Sequence, residues 1–135
     1  MRVLYWIDVT AFLIFAWIVL THTQLSPLHV TGIAMAGVGF LLWMLARVQL
    51  GKSFAITAQA KGLVTSGLYA RFRHPVYLFG GVAFTGLFLA WNAKLALPYL
   101  LFYCLFQSLR MWKEDAVLEK EYGEAYRQYK ERTWL

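Results

Sequence analysis

Four long apolar runs, separated by short polar segments, constrain the fold of this chain more than any other feature. They cover Val3–Leu20, Val30–Val48, Val76–Trp91 and Leu95–Leu109. A helix needs about 20 residues to cross the hydrocarbon core of a bilayer, with a range of about 17–25. The first two runs reach that length, and the last two are short. Because unpaired backbone groups are too costly in lipid, spanning segments must be helical. The sequence therefore predicts an all-α integral membrane protein with four transmembrane helices.

The composition supports a membrane protein with one domain over residues 1–135. Hydrophobic residues make up 60% of the chain and charged residues only 15%, whereas soluble domains carry about 25% charged residues. The net charge of +6 could suggest nucleic-acid binding, but membrane proteins gather Lys and Arg on their cytoplasmic side for topological reasons. We therefore expect the partners to be the bilayer and a lipophilic small molecule or lipid, and no nucleic acid.

The basic residues predict the orientation. Four spans place 12 of the 13 Lys and Arg residues on one face, and only Lys94 on the other. By the positive-inside rule, that face and both termini are cytoplasmic. This predicts a multi-pass protein with its polar segments in the cytoplasm, in the inner membrane if the protein is bacterial.

The two long cytoplasmic segments differ in pattern. Gly51–Phe72 is punctuated by glycines, which favours a loop with re-entrant or interfacial backbone. Pro75 fits the first turn of the third span, where its missing N–H costs nothing. Leu109–Tyr129 predicts a helix that leaves the membrane and breaks near Gly123, with a tyrosine stripe at the interface. Glycines in the second span (Gly32, Gly37 and Gly39) could pack closely against another protomer, so an oligomer is possible.

Ionisable residues gather at the cytoplasmic boundary. Arg71-Phe72-Arg73-His74-Pro75-Val76-Tyr77 precedes and opens the third span, and Arg110 and Glu114 share a face on the helix that leaves the fourth. Polar groups at this depth are a functional-site hypothesis by default. The alternative for Arg110 and Glu114 is an interfacial ion pair. A metal site is not expected, because the three histidines are split between the two faces and no cysteine pair has zinc spacing.

These motifs resemble the membrane methyltransferase family typified by isoprenylcysteine carboxyl methyltransferase, to which phospholipid N-methyltransferases are distantly related. The resemblance covers residues 47–129. It lies in Leu50-Gly51, Leu63-Val64-Thr65-Ser66-Gly67-Leu68-Tyr69, Arg73-His74-Pro75 with Tyr77, and Arg110, Glu114-Asp115, Leu118, Tyr122-Gly123, Tyr126 and Tyr129.

The resemblance implies a cofactor, S-adenosyl-L-methionine, and a set of residues that bind it: Lys61, Gly62, Leu63, Val64, Tyr69, His74, Pro75, Val76, Tyr77 and Glu114. It also implies that Arg110 and Glu114 are the catalytic residues, with Arg110 on the substrate side and Glu114 anchoring a polar end of the cofactor. Asp115 replaces the second acid of the family's acidic pair with a side chain one methylene shorter, and we expect it to have a supporting role.

The implied activity is methyl transfer to a lipophilic substrate, with a carboxylate of the isoprenylcysteine type as the leading acceptor. A carboxylate needs no general base, only an arginine to orient it by paired hydrogen bonds. Three alternatives stay open: N-methylation of a phospholipid amine, an NADPH-dependent membrane reductase with a similar His-Pro region, and a non-catalytic membrane scaffold.

Overall fold

The computed structural model describes residues 2–22, 25–56 and 63–134, and every regular element in these ranges is a helix. The α-helices are α1 (Arg2–His22), α2 (Pro27–Ile56), α3 (Pro75–Trp91), α4 (Ala93–Tyr122) and α5 (Glu124–Arg132). A 3₁₀ helix, Gly67–Ala70, precedes α3. The prediction of an all-α fold is confirmed over these ranges.

One described helix is long and apolar enough to cross a membrane, namely Pro27–Gly51, and Ile7–Thr21 and Pro75–Trp91 are shorter apolar helices. Large apolar side chains also lie exposed along α1, α2 and α4, with Trp17 and Leu41 each 70% exposed. Exposed apolar surface on this scale is typical of a membrane or protein contact. The arrangement of four spans with cytoplasmic termini stays a prediction.

The observed helix boundaries match those predicted from the sequence at three places and differ at one. Pro75 begins α3, Asn92 alone separates α3 from α4, and Gly123 breaks α4 from α5 with a positive φ of 53°. The loop predicted from Gly51 onwards is wrong in its first part, because α2 continues through Gly51 to Ile56. A single glycine costs a helix only about 1 kcal/mol, so it does not end one by itself.

A seam of small residues joins α2 to α3. A Cβ atom added to Gly39 would lie 2.6 Å from the backbone nitrogen of Ala83, and one added to Gly86 would lie 2.5 Å from that of Ala36. Gly32 faces α3 in the same way, whereas Gly37 has open space. Gly32 and Gly39 therefore serve packing within one chain, and their predicted role between protomers is wrong.

Helix α1 packs on this pair through aromatic rings and one ion pair. The ring of Phe12 stacks on Phe40 at 4.6 Å between centroids. Asp8 forms a salt bridge with Arg47 of α2, and the Arg47 guanidinium lies 4.4 Å from the centroid of the Trp43 ring. Asp8 thus faces another helix, and the charge of Arg47, whose side chain is only 6% exposed, is compensated by a carboxylate.

Beyond Gly123 the chain turns back onto the start of α3. Tyr126 and Tyr129 are buried, and the Tyr129 hydroxyl donates to the backbone oxygen of Tyr69 at 2.7 Å. The backbone N–H of Trp134 donates to the backbone oxygen of Arg71, and the backbone oxygen of Trp134 accepts from the backbone N–H of Arg73. The predicted packing of the tyrosines at the membrane interface is therefore wrong for Tyr126 and Tyr129, because their hydroxyls find acceptors inside the protein.

Candidate functional site

Asp115 lies at the centre of a polar cluster where α3 begins and α4 leaves the apolar region. One carboxylate oxygen accepts from Arg73 at 3.1 Å. The other lies 2.8 Å from Nε2 of His74 and accepts from the hydroxyl of Tyr126. The ammonium of Lys130 lies 3.9 Å away. Asp115 therefore ties the segment before α3 and helix α5 to α4.

The cluster favours the ionised carboxylate. Burial alone would raise the pKa of Asp115, but hydrogen bonds from Tyr126 and His74, together with the charges of His74 and Arg73, outweigh burial and lower the pKa. Burial and the neighbouring carboxylate raise the pKa of Tyr126, and burial raises the pKa of Tyr129 to about 12. Both phenols are therefore protonated donors at neutral pH.

Tyr77 forms a second junction, in the first turn of α3. Its hydroxyl donates to Glu114 at 2.7 Å, and its ring stacks on His74 at 5.7 Å between centroids. The guanidinium carbon of Arg110 lies 5.1 Å from the centre of the same ring, a cation–π distance. The backbone oxygen of Tyr77 accepts from the hydroxyl of Tyr103 at 2.6 Å. The predicted site had one group of residues at the start of the third span and another on the helix that leaves the fourth. Residues from both groups meet at Tyr77.

Arg110 and Glu114 meet at Tyr77 and not as a salt bridge. The ion pairs found in the described part of the chain join neither residue to the other. Both side chains are exposed, so both are open to a ligand. Their arrangement leaves a carboxylate and a guanidinium beside one aromatic ring.

An apolar cavity of about 300 Å³ opens beside this junction, between α3 and α4. His74, Tyr77 and Gln107 line its polar end. Leu78, Val82 and Leu100 continue its wall away from that end, and Met35 of α2 also contributes. A long apolar group could lie in this groove with its polar end beside Tyr77.

Of the predicted cofactor residues, His74, Tyr77 and Glu114 meet at this junction, and the others differ in their surroundings. Lys61 and Gly62 lie outside the described residues. Leu63 and Val64 are half-buried, Tyr69 is buried in the 3₁₀ helix, and Pro75 is fully buried. Val76 packs against the apolar core formed by α1, α2 and α3.

Sequence reasoning underrated Asp115 and missed Tyr103. Asp115 holds three hydrogen-bonding partners, well beyond the supporting role expected of it. Tyr103, Gln107, Arg110 and Glu114 follow one another at helical spacing of three or four residues, which places them on one face. That spacing was the signal that could have identified Tyr103.

One of three comparisons with known proteins identifies a family. The family model of phospholipid methyltransferases matches residues 27–125, which covers α2, α3, α4 and the start of α5. Neither a curated protein nor a solved structure matches the chain. The match includes Tyr77, Arg110, Glu114 and Asp115, and it confirms the resemblance to membrane methyltransferases. The chain belongs to the phospholipid methyltransferase family.

Proposed function

We propose that this protein transfers a methyl group from S-adenosylmethionine to a lipophilic substrate that reaches the site through the groove between α3 and α4. The observation that carries the proposal is the junction at Tyr77, where Glu114 and Arg110 meet at the polar end of an apolar cavity. A methyltransferase that acts on lipids needs a polar surface for the reacting groups and an apolar surface for the lipid chain, and the two must adjoin.

The residues present fit the cofactor. Glu114 has an exposed carboxylate, which suits an ammonium group. Nε of Arg73 is buried without a partner among the described residues, and this donor suits a carboxylate. When bound, S-adenosylmethionine supplies a methyl group on a positively charged sulfur.

Arg110 is the residue that we assign to the substrate. Its guanidinium lies over Tyr77, on the same face of α4 as Gln107, which lines the groove. A guanidinium can hold both oxygens of a carboxylate by paired hydrogen bonds. Because a carboxylate is already ionised at neutral pH, its methylation requires orientation and no removal of a proton. The leading acceptor is therefore a carboxylate of the isoprenylcysteine type.

Replacing Glu114 by Gln should weaken S-adenosylmethionine binding about tenfold. The substitution keeps an acceptor for the Tyr77 hydroxyl and removes only the charge, and a hydrogen bond to a charged group contributes about 1.5–3 kcal/mol. Calorimetry on the protein in detergent measures the effect, with the exposed Glu121→Gln on the same helix as the control. Equal affinity in the wild type and both variants would remove Glu114 from the cofactor site.

Replacing Arg110 by Ala should lower methyl transfer about tenfold while cofactor affinity stays within about twofold, because the orienting hydrogen bonds contact only the substrate. Transfer of a tritiated methyl group to extracted lipids and to prenylated thiol acids measures the rate and identifies the acceptor. Lys113→Ala, which removes a nearby exposed cation, is the control. Unchanged turnover in Arg110→Ala would withdraw its role in substrate binding.

The description of the matched family favours a second acceptor, a phospholipid amine. An amine must lose a proton during the reaction, and water or Glu114 would take it. The acceptor identified in the tritium assay separates the two candidates. The family match speaks against the reductase alternative, and a protein that binds S-adenosylmethionine without any transfer would favour a scaffold.

A further inference from the structure

The side chain of Gln49 reaches from α2 to the turn that precedes α3. Its Oε1 accepts a hydrogen bond from the backbone N–H of Leu68 at 2.9 Å. Leu68 lies in the 3₁₀ helix Gly67–Ala70, 19 positions away in the chain. The hydrogen bond therefore joins α2 to a distant segment in which Tyr69 is a predicted cofactor residue.

Gly67 allows the amide of Gln49 to lie directly on the backbone of this turn. Its φ of 65° is in the left-handed region that favours glycine. A Cβ atom added to Gly67 would lie 2.6 Å from both Nε2 and Oε1 of Gln49. The amide thus occupies the space that any side chain at position 67 would need. We refer to the contact of Gln49 with Gly67 and Leu68 as the Gln49 contact.

Backbone hydrogen bonds connect this turn to the candidate site. The backbone oxygen of Leu68 accepts from the N–H of Arg71 at 3.2 Å and from the N–H of Phe72 at 3.0 Å. Arg73 and His74, two members of the polar cluster, follow directly in the sequence. A shift of Leu68 would therefore also move the residues through which the chain enters α3.

A second helix also holds the turn, and Gln49 itself lies away from the groove. The backbone oxygen of Tyr69 accepts from the hydroxyl of Tyr129 in α5 at 2.7 Å. Gln49 is half-buried and is not one of the described residues that line the groove between α3 and α4. An effect of Gln49 on ligand binding must therefore pass through the turn that it holds.

We propose that Gln49 is a positioning residue for S-adenosylmethionine, because it holds the turn at Gly67 and Leu68 against α2 and so keeps Tyr69 and His74 in place for the cofactor. The inference rests on the proposed function and adds to it a residue outside the predicted cofactor set. Without the Gln49 contact, only a fraction of the molecules would have the turn in place, and the apparent affinity for the cofactor falls by that fraction.

Two replacements of Gln49 test the proposal by calorimetry with S-adenosylmethionine and by the tritium assay. Gln49→Met fills a similar volume and removes the acceptor. It should raise Kd for the cofactor about fivefold, which corresponds to about 1 kcal/mol. In contrast, kcat at saturating cofactor should stay within about twofold, because the bound protein has the turn in place. Gln49→Glu keeps an acceptor oxygen and should restore Kd to within about twofold of the wild type. Leu45→Met, at an exposed position one turn earlier in α2, is the control.

Hydrogen exchange tests the Gln49 contact without any cofactor. The amide hydrogen of Leu68 should exchange about fivefold faster in Gln49→Met than in the wild type, because local opening of the turn becomes easier. Unchanged exchange at Leu68, an unchanged Kd in Gln49→Met, or a Kd that Gln49→Glu does not restore would overturn the role of Gln49. Absence of S-adenosylmethionine binding and methyl transfer in the wild type would instead overturn the proposed function.

Discussion

Replacing Asp115 by Asn should lower the free energy of unfolding by about 3 kcal/mol. The amide oxygen can still accept hydrogen bonds, but the substitution leaves the guanidinium of Arg73 without its counter-charge and turns an N–H group towards one of the former donors. Breaking a buried ion pair by removing one partner costs about 3–5 kcal/mol. The side chain of Asp115 is 18% exposed, so the lower end of that range applies. Unfolding by titration with sodium dodecyl sulfate in mixed micelles measures the change.

The control for Asp115 lies one turn along α4. Glu119 pairs with Arg127 and Lys130 at the surface, and exposed ion pairs contribute little. Glu119→Gln should therefore change stability much less than Asp115→Asn. If the two variants unfold alike, Asp115 does not hold the site together.

The effect of Asp115 should also depend on pH in one direction. Because its pKa is lowered in the folded state, its ionised form stabilises the protein fully above the unfolded value of about 3.9. That stabilisation is lost as the pH falls through the folded value. The stability difference between wild type and Asp115→Asn should thus be constant near neutrality and should shrink only below about pH 4.

Replacing Gly39 by Ala should destabilise the protein by about 3 kcal/mol relative to Gly37→Ala. The new methyl group would lie 2.6 Å from the Ala83 nitrogen and 2.9 Å from its Cα. These are backbone atoms, so α2 and α3 must move apart, and overpacking of this kind costs about 1–3 kcal/mol. Gly37 has nothing within 4 Å of the same position, and both variants gain equally in helix propensity. The difference in the free energy of unfolding between the two variants therefore measures the cost of the steric clash alone.

The same unfolding titration compares the two glycine variants. Gly37→Ala should be neutral or slightly stabilising, because alanine favours a helix over glycine by about 1 kcal/mol. Equal stability of the two variants would mean that α2 and α3 do not pack through this seam. It would also reopen the prediction that these glycines face another protomer.

Local signals in the sequence predicted the helix ends well and the packing partners less well. Pro75 and Gly123 mark boundaries because their backbone preferences act within one or two residues. The partner of the glycines in α2 depends on a helix about 50 residues away, and spacing alone cannot distinguish α3 from a second chain. The extension of α2 through Gly51 was missed for a related reason, since the cost of one glycine is small beside the rest of a long helix.

The sequence predicted those residues of the site that a motif places at the same depth. It did not predict the contacts that form because the chain reverses at Gly123. His74, Tyr77, Arg110 and Glu114 were all named from the sequence, and the structure places them together. The importance of Asp115 depends on Tyr126, which reaches it only because the chain reverses at Gly123. No local pattern around Asp115 reports that reversal.

The glycine seam also determines which parts of the molecule can move. Backbone contact leaves α2 and α3 no room to approach or to slide past each other, so we expect them to move together as one body. The opposite wall of the groove is α4, which meets α3 through larger side chains such as Tyr103 and carries Pro98 inside its apolar half. A proline in a helix removes a hydrogen bond and allows bending at that point. For the substrate that we propose, we therefore expect a bulky apolar chain to enter the groove by motion of α4, with the α2–α3 pair as the fixed frame.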